Sequence, residues 1–156
     1  MLFRSEDRYY HLVLLAENNQ GYQNLMKIVS KGFVDGFYYK PRVDYEVLET
    51  YHEGVIALSA CLAGEVQRNL ERGMYEEAKK AALHYQDIFG EGNFFLELQD
   101  HGIPAQKTVN QGLLRMSREP GTVLRYCLMT CRRTPVPVPC RMRTRVQPTC
   151  MASSMK

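Results

Sequence analysis

The sequence predicts an α/β fold, in which strands and helices alternate along most of the chain. Short, almost wholly apolar segments bounded by polar turns recur, as expected of strands that are covered on both faces. Longer segments between them space their apolar residues three and four positions apart, as in helices that pack one face on a core. This alternation favours parallel strands joined by right-handed helical crossovers.

Charge divides the chain into two unlike parts. Residues 1–117 carry 12 Lys and Arg against 16 Asp and Glu, a net charge of −4. Residues 118–156 carry 8 Lys and Arg and one acid, a net charge of +7, with four of the five cysteines and five of the seven prolines. The acidic front gives no electrostatic support for nucleic-acid binding, and the positive balance comes from the tail alone.

The first strand is predicted over residues 9–16, with His11 as its one buried polar side chain. A buried histidine needs a hydrogen bond, a carboxylate or a metal as partner. Asn18 and Asn19 are N-cap candidates for the next helix. That helix is predicted to bury the apolar residues at helical spacing, which are Tyr22, Leu25, Met26, Val29 and Phe33.

Residues 37–42 mix aromatic and basic side chains in the string FYYKPR. One interpretation is a contact to phosphate or nucleic acid. The other, which we favour, is a short strand or loop whose rings pack on the domain. Asp44 is then predicted to cap a short helix.

Two further strands are predicted, over residues 54–59 and 93–99, with Glu97 the one acid inside the second. Helices are predicted over about 65–72, 75–89 and 104–118. Sites of parallel α/β folds lie at the carboxyl ends of strands, which is where Cys61 and the Asp100–His101 pair fall. His11 does not fit this rule, because it comes early in its strand.

After Arg118 a fourth strand is due, but the basic, Cys- and Pro-rich sequence lacks periodicity. We therefore expect three regions: a leader at 1–8, a folded domain at 9–118 and a disordered tail at 119–156. The abrupt change of composition suggests a reading-frame shift near residues 118–125. A basic nucleic-acid-binding tail is the functional alternative. The Cys127–Cys131 spacing only loosely matches a metal knuckle.

The sequence contains no signal peptide and no apolar run long enough to span a bilayer, so no membrane association is expected. A single cysteine in the front part excludes an intramolecular disulfide there. A reducing, cytoplasmic setting is the expectation that fits best.

Four strings, in order, resemble the PHP (polymerase and histidinol phosphatase) domain of bacterial DNA polymerase III alpha subunits: YYHLVLLAENNQGYQNLMKIVSKGF, GFYYKPRVD, IALSACLAGEV and FFLELQDHGIPAQKTVNQGLLRMS. The resemblance covers about residues 7–118 and implies a distorted (β/α)7 barrel that binds divalent metals (Zn, Mn or Mg). It also implies that His11 matches a metal-binding histidine and that Cys61 matches a position supplying a metal-binding cysteine. Glu97 and His101 would at most support that site.

The same resemblance implies a role in DNA-templated DNA synthesis during chromosome replication, with DNA and other replicase subunits as partners of the parent enzyme. The chain lacks the family's opening His-x-His strand, its Glu-bearing strand before Tyr9 and the polymerase palm. We therefore expect a fragment that holds the middle of a PHP domain, has no catalytic residues of its own and is inactive alone. The alternatives are a stand-alone, metal-dependent phosphoesterase of the PHP type and a non-enzymatic basic adaptor for nucleic acid.

Overall fold

The computed structural model describes residues 9–119 and 124–130 of the chain. The predicted leader at 1–8 and most of the predicted tail, 131–156, lie outside the described residues. The elements are, in chain order, β1 (Val13–Ala16), α1 (Asn19–Val34), α2 (Tyr45–Thr50), β2 (Val55–Leu58), α3 (Glu65–Glu71), α4 (Tyr75–Phe89), β3 (Phe94–Asp100), α5 (Pro104–Met116) and β4 (Arg125–Thr130).

The strands form one four-stranded sheet in the order β1-β2-β3-β4. The prediction of parallel strands holds for β2, β3 and β4, and it is wrong for β1, which runs antiparallel to β2. The connection from β1 to β2 contains α1 and the short α2, and a helical connection of this length can join antiparallel as well as parallel strands, so the alternation of elements did not fix the direction of β1. The α/β class is confirmed, whereas a closed barrel is not formed by the described residues.

The core lies on β2 and β3 and on the helices that follow them. Leu96 and Leu113 are both fully buried, and α4 buries the five positions predicted from its spacing. Those five residues are Ala78, Ala81, Ala82, Tyr85 and Phe89. Helical spacing therefore identifies the buried side of α4 correctly, because that helix packs on one covered face of the sheet.

The buried face of α1 differs from the predicted one. Tyr22, Met26, Val29 and Phe33 are 47–58% exposed. The helix instead buries a face with two glycines, formed by Gly21, Asn24, Ile28 and Gly32. A Cβ on Gly21 would lie 1.7 Å from the carbonyl oxygen of Gly54, so α1 packs through a close backbone approach that only glycine allows. The prediction from apolar spacing is wrong here because small residues form the buried face of the helix.

The prediction that β1 is buried on both faces is also wrong. Val13 and Leu15 are 37% and 39% exposed, and His11 is exposed rather than buried. The strand lies at the edge of the sheet and pairs with β2 alone among the described strands. Its apolar side chains therefore lack the second layer that a central parallel strand would have.

Both predicted helix caps are confirmed. The side chain of Asn18 accepts a hydrogen bond from the backbone N–H of Gly21 at 2.9 Å. Asp44 Oδ1 accepts one from the N–H of Val47 at 3.0 Å. These caps fix where α1 and α2 begin, since each satisfies an otherwise unpaired first-turn donor.

The expectation of disorder from residue 119 onward is wrong for the described part of the tail. Arg125–Thr130 forms β4 and pairs with β3 along six residues, and both Leu124 and Cys127 are buried. Glu119 accepts hydrogen bonds from Tyr75 at 2.7 Å and from Lys79 at 2.5 Å. A backbone ladder needs no side-chain periodicity, so the irregular sequence did not reveal this strand.

Candidate metal-binding cleft

The antiparallel direction of β1 brings His11 to the sheet edge where β2 ends. His11 lies just before β1, and its backbone N–H donates to the carbonyl oxygen of Ala63 at 3.0 Å. Its Nδ1 lies 3.4 Å from Sγ of Cys61, which follows β2. The two predicted metal ligands, 50 residues apart in sequence, are therefore in contact, and the apparent misfit of His11 is explained.

The pair lines a cleft of about 840 Å³. Its walls are the segment before β1, the loop that leads into α2 and the segment after β2, and its floor is β3. Lining side chains that carry nitrogen, oxygen or sulfur groups include Tyr10, Lys40, Arg42, Glu65, Glu97 and Gln99. Positively and negatively charged side chains therefore surround the two predicted ligands in the cleft.

Glu97 lies in the floor of this cleft and is only 2% exposed. Its Oε1 accepts a hydrogen bond from Gln99 Nε2 at 2.6 Å, while its Oε2 has no partner in the described part of the chain. A buried carboxyl oxygen without a partner is costly. Glu97 therefore lies at the cleft with one carboxylate oxygen that forms no hydrogen bond with the described residues.

Cys127 is paired with Glu97 across β3 and β4. Burial, followed by the negative charge of Glu97, raises the pKa of the Cys127 thiol to about 11. This cysteine is therefore held as a neutral thiol next to Glu97.

His101 does not join His11 and Cys61. Its Nδ1 lies 3.0 Å from Gln106 Nε2, and its backbone N–H donates to Gln106 Oε1 at 2.8 Å. The side chain is exposed and is not among the residues that line the cleft. These contacts tie the turn after β3 to the first turn of α5, which is a structural role.

Glu65 was not predicted as a cleft residue. It accepts hydrogen bonds from the hydroxyls of Tyr45 and Tyr85, the second at 2.9 Å. Burial, with help from Glu65, raises the pKa of Tyr45 to about 12. Burial and the neighbouring Tyr45 raise the pKa of Tyr85 above its usual range. No sequence pattern joins these residues, because they come from three different helices.

The His11–Cys61 contact offers two donor atoms of the kinds that bind metals. An imidazole nitrogen and a thiol sulfur are donors that suit zinc, but a structural zinc ion normally has four ligands. Within residues 9–119 and 124–130, no group of three or more His, Cys, Asp or Glu side chains is close enough to hold a metal ion. The His11–Cys61 pair therefore does not complete a multi-metal cluster with the described residues alone.

None of the helices in the described ranges combines the length and the apolar character that crossing a membrane requires.

Comparison with known proteins agrees with the resemblance seen in the sequence. The PHP domain family matches residues 1–101. DNA polymerase III subunit alpha of Deinococcus radiodurans is 46% identical over 112 residues, which are 72% of this chain and 8% of that protein. The same subunits of Borreliella burgdorferi and Treponema pallidum are each 47% identical, over 115 and 110 residues. These cover 74% and 70% of this chain and 10% and 9% of the relatives.

The chain thus spans about a tenth of the length of the relatives it matches. The family match covers well over half of the 156 residues and includes His11, Cys61 and Glu97, the three residues that the fold gathers at the cleft. The chain belongs to the PHP domain family.

Proposed function

We propose that the chain serves as a PHP-domain part of a bacterial DNA polymerase III alpha subunit. The observation that carries this proposal is the 46–47% identity to three proteins of that name over 110–115 residues. The parent enzyme would then be a DNA-directed DNA polymerase that acts in chromosome replication. DNA and other replicase subunits would be its partners, in the cytoplasm.

The role of the cleft in this proposal is to hold a divalent metal. PHP proteins generally bind divalent metals, and the 3.4 Å contact between His11 Nδ1 and Cys61 Sγ supports a shared ion. The nitrogen and sulfur donors favour zinc over manganese or magnesium, which prefer oxygen ligands. Glu97, with its unpaired Oε2, would support the site from the cleft floor.

Calorimetric titration of the full chain with zinc, manganese and magnesium tests the metal role. We expect zinc to bind most tightly, and we expect His11→Ala and Cys61→Ser each to weaken it by at least roughly tenfold. The tail cysteines at 131, 140 and 150 also offer thiols. The titration therefore uses a background in which all three are replaced by serine.

His52→Ala is the matched control, since His52 is exposed and its Nδ1 contacts the backbone oxygen of Glu49 at 2.7 Å. It should leave zinc affinity unchanged. Zinc affinity that does not respond to His11→Ala or Cys61→Ser would reject the proposed ligands.

The chain alone is proposed to be inactive as a polymerase. In a primer-extension assay with a primed template and all four deoxynucleotides, we expect no nucleotide incorporation. The full-length DNA polymerase III subunit alpha of Deinococcus radiodurans provides the positive control. Incorporation by the purified chain at a rate comparable with that control would contradict the proposal.

A change of reading frame near residues 118–125 remains part of the proposal. It is supported by the net charge of +7 and the four cysteines after residue 117. Resequencing the locus, with mass-spectrometric detection of tail peptides, tests it. An intact reading frame together with a detected peptide from residues 131–156 would reject the frame shift.

A further inference from the structure

We propose that an aromatic and basic surface at the mouth of the cleft binds single-stranded DNA, by base stacking on its tyrosines and by phosphate contacts to its cations. We call this surface the tyrosine rim and define it as Tyr9, Tyr38, Tyr39, Lys40 and Arg42. The inference rests on the proposed function, in which DNA is a partner of the parent enzyme, and adds a place where the strand would bind.

The side chains of the rim form two groups of contacts, which the loop at residues 38–42 holds next to each other. Lys40 Nζ lies 5.2 Å from the centre of the Tyr9 ring and donates to its hydroxyl at 3.2 Å. The guanidinium carbon of Arg42 lies 5.2 Å from the centre of the Tyr38 ring. Tyr38 and Tyr39 meet edge to face, with ring centres 4.7 Å apart. Tyr9, Lys40 and Arg42 line the cleft, and Tyr38 and Tyr39 continue the surface from Arg42, so each cation of the rim lies against a ring.

The rings of the rim are exposed to solvent, whereas the sequence favoured a loop at residues 37–42 whose rings pack on the domain. Tyr9, Tyr38 and Tyr39 are 42%, 53% and 85% exposed. Tyr39 also has a φ of +62°, a left-handed conformation that is uncommon for a residue other than glycine. A backbone held in this conformation so that an aromatic ring faces solvent is typical of a binding surface.

The backbone of the loop holds these rings in place. Tyr38 forms a bridge to Lys40, and the N–H of Tyr38 donates to the Lys40 carbonyl oxygen at 3.2 Å. Pro41 follows at once and restricts Lys40 to an extended conformation. The rim is therefore arranged before any ligand arrives, which lowers the ordering cost of binding.

Two acids near the rim accept hydrogen bonds from other groups. Asp44 accepts the hydrogen bond that caps α2, and Glu65 accepts from Tyr45 and Tyr85 deeper in the cleft. Lys40 and Arg42 are the charged side chains of the rim itself, and both are positive, although the front part of the chain is acidic overall. Exposed rings interleaved with cations are the combination that binds single strands without sequence preference.

The test is fluorescence anisotropy of a labelled oligothymidylate of about 12 nucleotides titrated with the full chain at several salt concentrations. The double variant Tyr38→Ala/Tyr39→Ala should weaken binding by roughly tenfold or more, because stacking on each ring is lost. Lys40→Ala/Arg42→Ala should lower the slope of log affinity against log salt by about 1.4, since two phosphate contacts are lost from a single strand.

Two matched controls come from α1. Tyr22 is an exposed tyrosine, and Tyr22→Ala removes a ring outside the rim. Lys27→Ala/Lys31→Ala removes two positive charges, like the rim variant, from another surface. Both controls should leave affinity within about twofold of the parent chain, because neither surface stacks bases or contacts phosphate. Circular dichroism verifies that each variant is folded.

Photocrosslinking separates the rim from the basic tail. An oligonucleotide carrying 5-iodouracil should crosslink to peptides that contain residues 37–42. Crosslinks confined to residues 119–156 overturn the proposal. Unchanged affinity and salt slope in both rim variants also overturn it. Neither outcome alters zinc binding by His11 and Cys61, so the two proposals fail independently.

Discussion

The two halves of the sheet are built from similarly apolar sequence but are buried very differently. β2 and β3, with the helices packed on them, contain the fully buried residues of the core, such as Phe94 and Leu113. In the other half, Leu15 of β1 is 39% exposed and Phe33 of α1 is 58% exposed. Apolar character therefore shows that a residue can be buried, whereas burial depends on whether another element lies against it.

Each half of the sheet is also stabilised by a different kind of internal contact. The β2–β3 half interdigitates large side chains, which is the usual arrangement of a protein core. In the β1–α1 half, Gly21 lets the helix backbone approach Gly54 directly, and Asn24 Nδ2 donates to the carbonyl oxygen of Glu53 at 2.9 Å. This half thus depends on small and polar residues, which do not contribute to the apolar periodicity that predicts buried positions.

The largest predicted effect is a cavity in the β2–β3 half. Leu113→Ala should lower the free energy of unfolding by about 2–5 kcal/mol, because the leucine is fully buried. Phe33→Ala removes a larger side chain from the other half but should change stability by only about 0.5 kcal/mol. Urea unfolding followed by circular dichroism measures both. Equal losses for the two variants would show that Phe33 is buried and that the two halves do not differ in burial.

Gly21→Ala probes the close approach in the β1–α1 half. In an exposed helix this change would stabilise by up to about 1 kcal/mol. Here the added Cβ would meet the backbone of Gly54, so we expect a loss of about 1–3 kcal/mol.

Gln23→Ala, on the exposed side of the same helix, should be nearly neutral in the same urea experiment. A Gly21→Ala variant that is more stable than the parent chain would show that α1 does not pack tightly on the β2 side.

Removing the cap of α1 should have a smaller effect. Asn18→Ala deletes the oxygen that accepts from the Gly21 N–H and should cost about 1 kcal/mol of unfolding free energy. Asn18→Asp keeps an acceptor at this position and should cost much less. If thermal unfolding shows the same loss for both variants, the hydrogen bond is not the source of the stability.

The last effect is a loss of stability that is absent at neutral pH and appears only in strong base. The pKa of Tyr45 and that of Tyr75 are each raised to about 12, chiefly by burial, and Tyr85 is raised in the same direction. A phenol whose pKa is higher in the folded chain than in the unfolded chain contributes its full stabilisation of the fold below pH 10. That contribution is lost as pH rises from 10 through 12.

Ultraviolet titration of the ten tyrosines measures this directly. Tyr45, Tyr75 and Tyr85 should ionise last, and Tyr45→Phe should remove one late-ionising group. Tyr22→Phe, at an exposed position, should leave the late-ionising groups unchanged. Ionisation of all ten tyrosines in a single step near pH 10, in a chain that is still folded, would contradict the burial of these rings.

Local signals in the sequence predicted several helices of the fold well. The spacing of α4, the caps at Asn18 and Asp44, and Pro104 at the start of α5 all agree with the structure. Each of these features depends on a few neighbouring residues. They can therefore be recognised without knowing the tertiary fold.

The candidate site was predictable only in part. The resemblance pointed to His11 and Cys61, but their contact depends on the antiparallel direction of β1, which no local pattern specifies. The same holds for Glu65, whose tyrosine partners come from α2 and α4. The strand at Arg125–Thr130 was missed because it is defined by its ladder to β3 rather than by its own sequence.

Cobalt(II) absorption most directly tests the claim that His11 and Cys61 form one metal-binding pair. In the background with serine at 131, 140 and 150, added cobalt should give a thiolate-to-cobalt charge-transfer band. Cys61→Ser should abolish the band and His11→Ala should weaken it strongly, while His52→Ala should leave it unchanged. A band that survives Cys61→Ser, or the absence of any band in the parent background, would contradict the account.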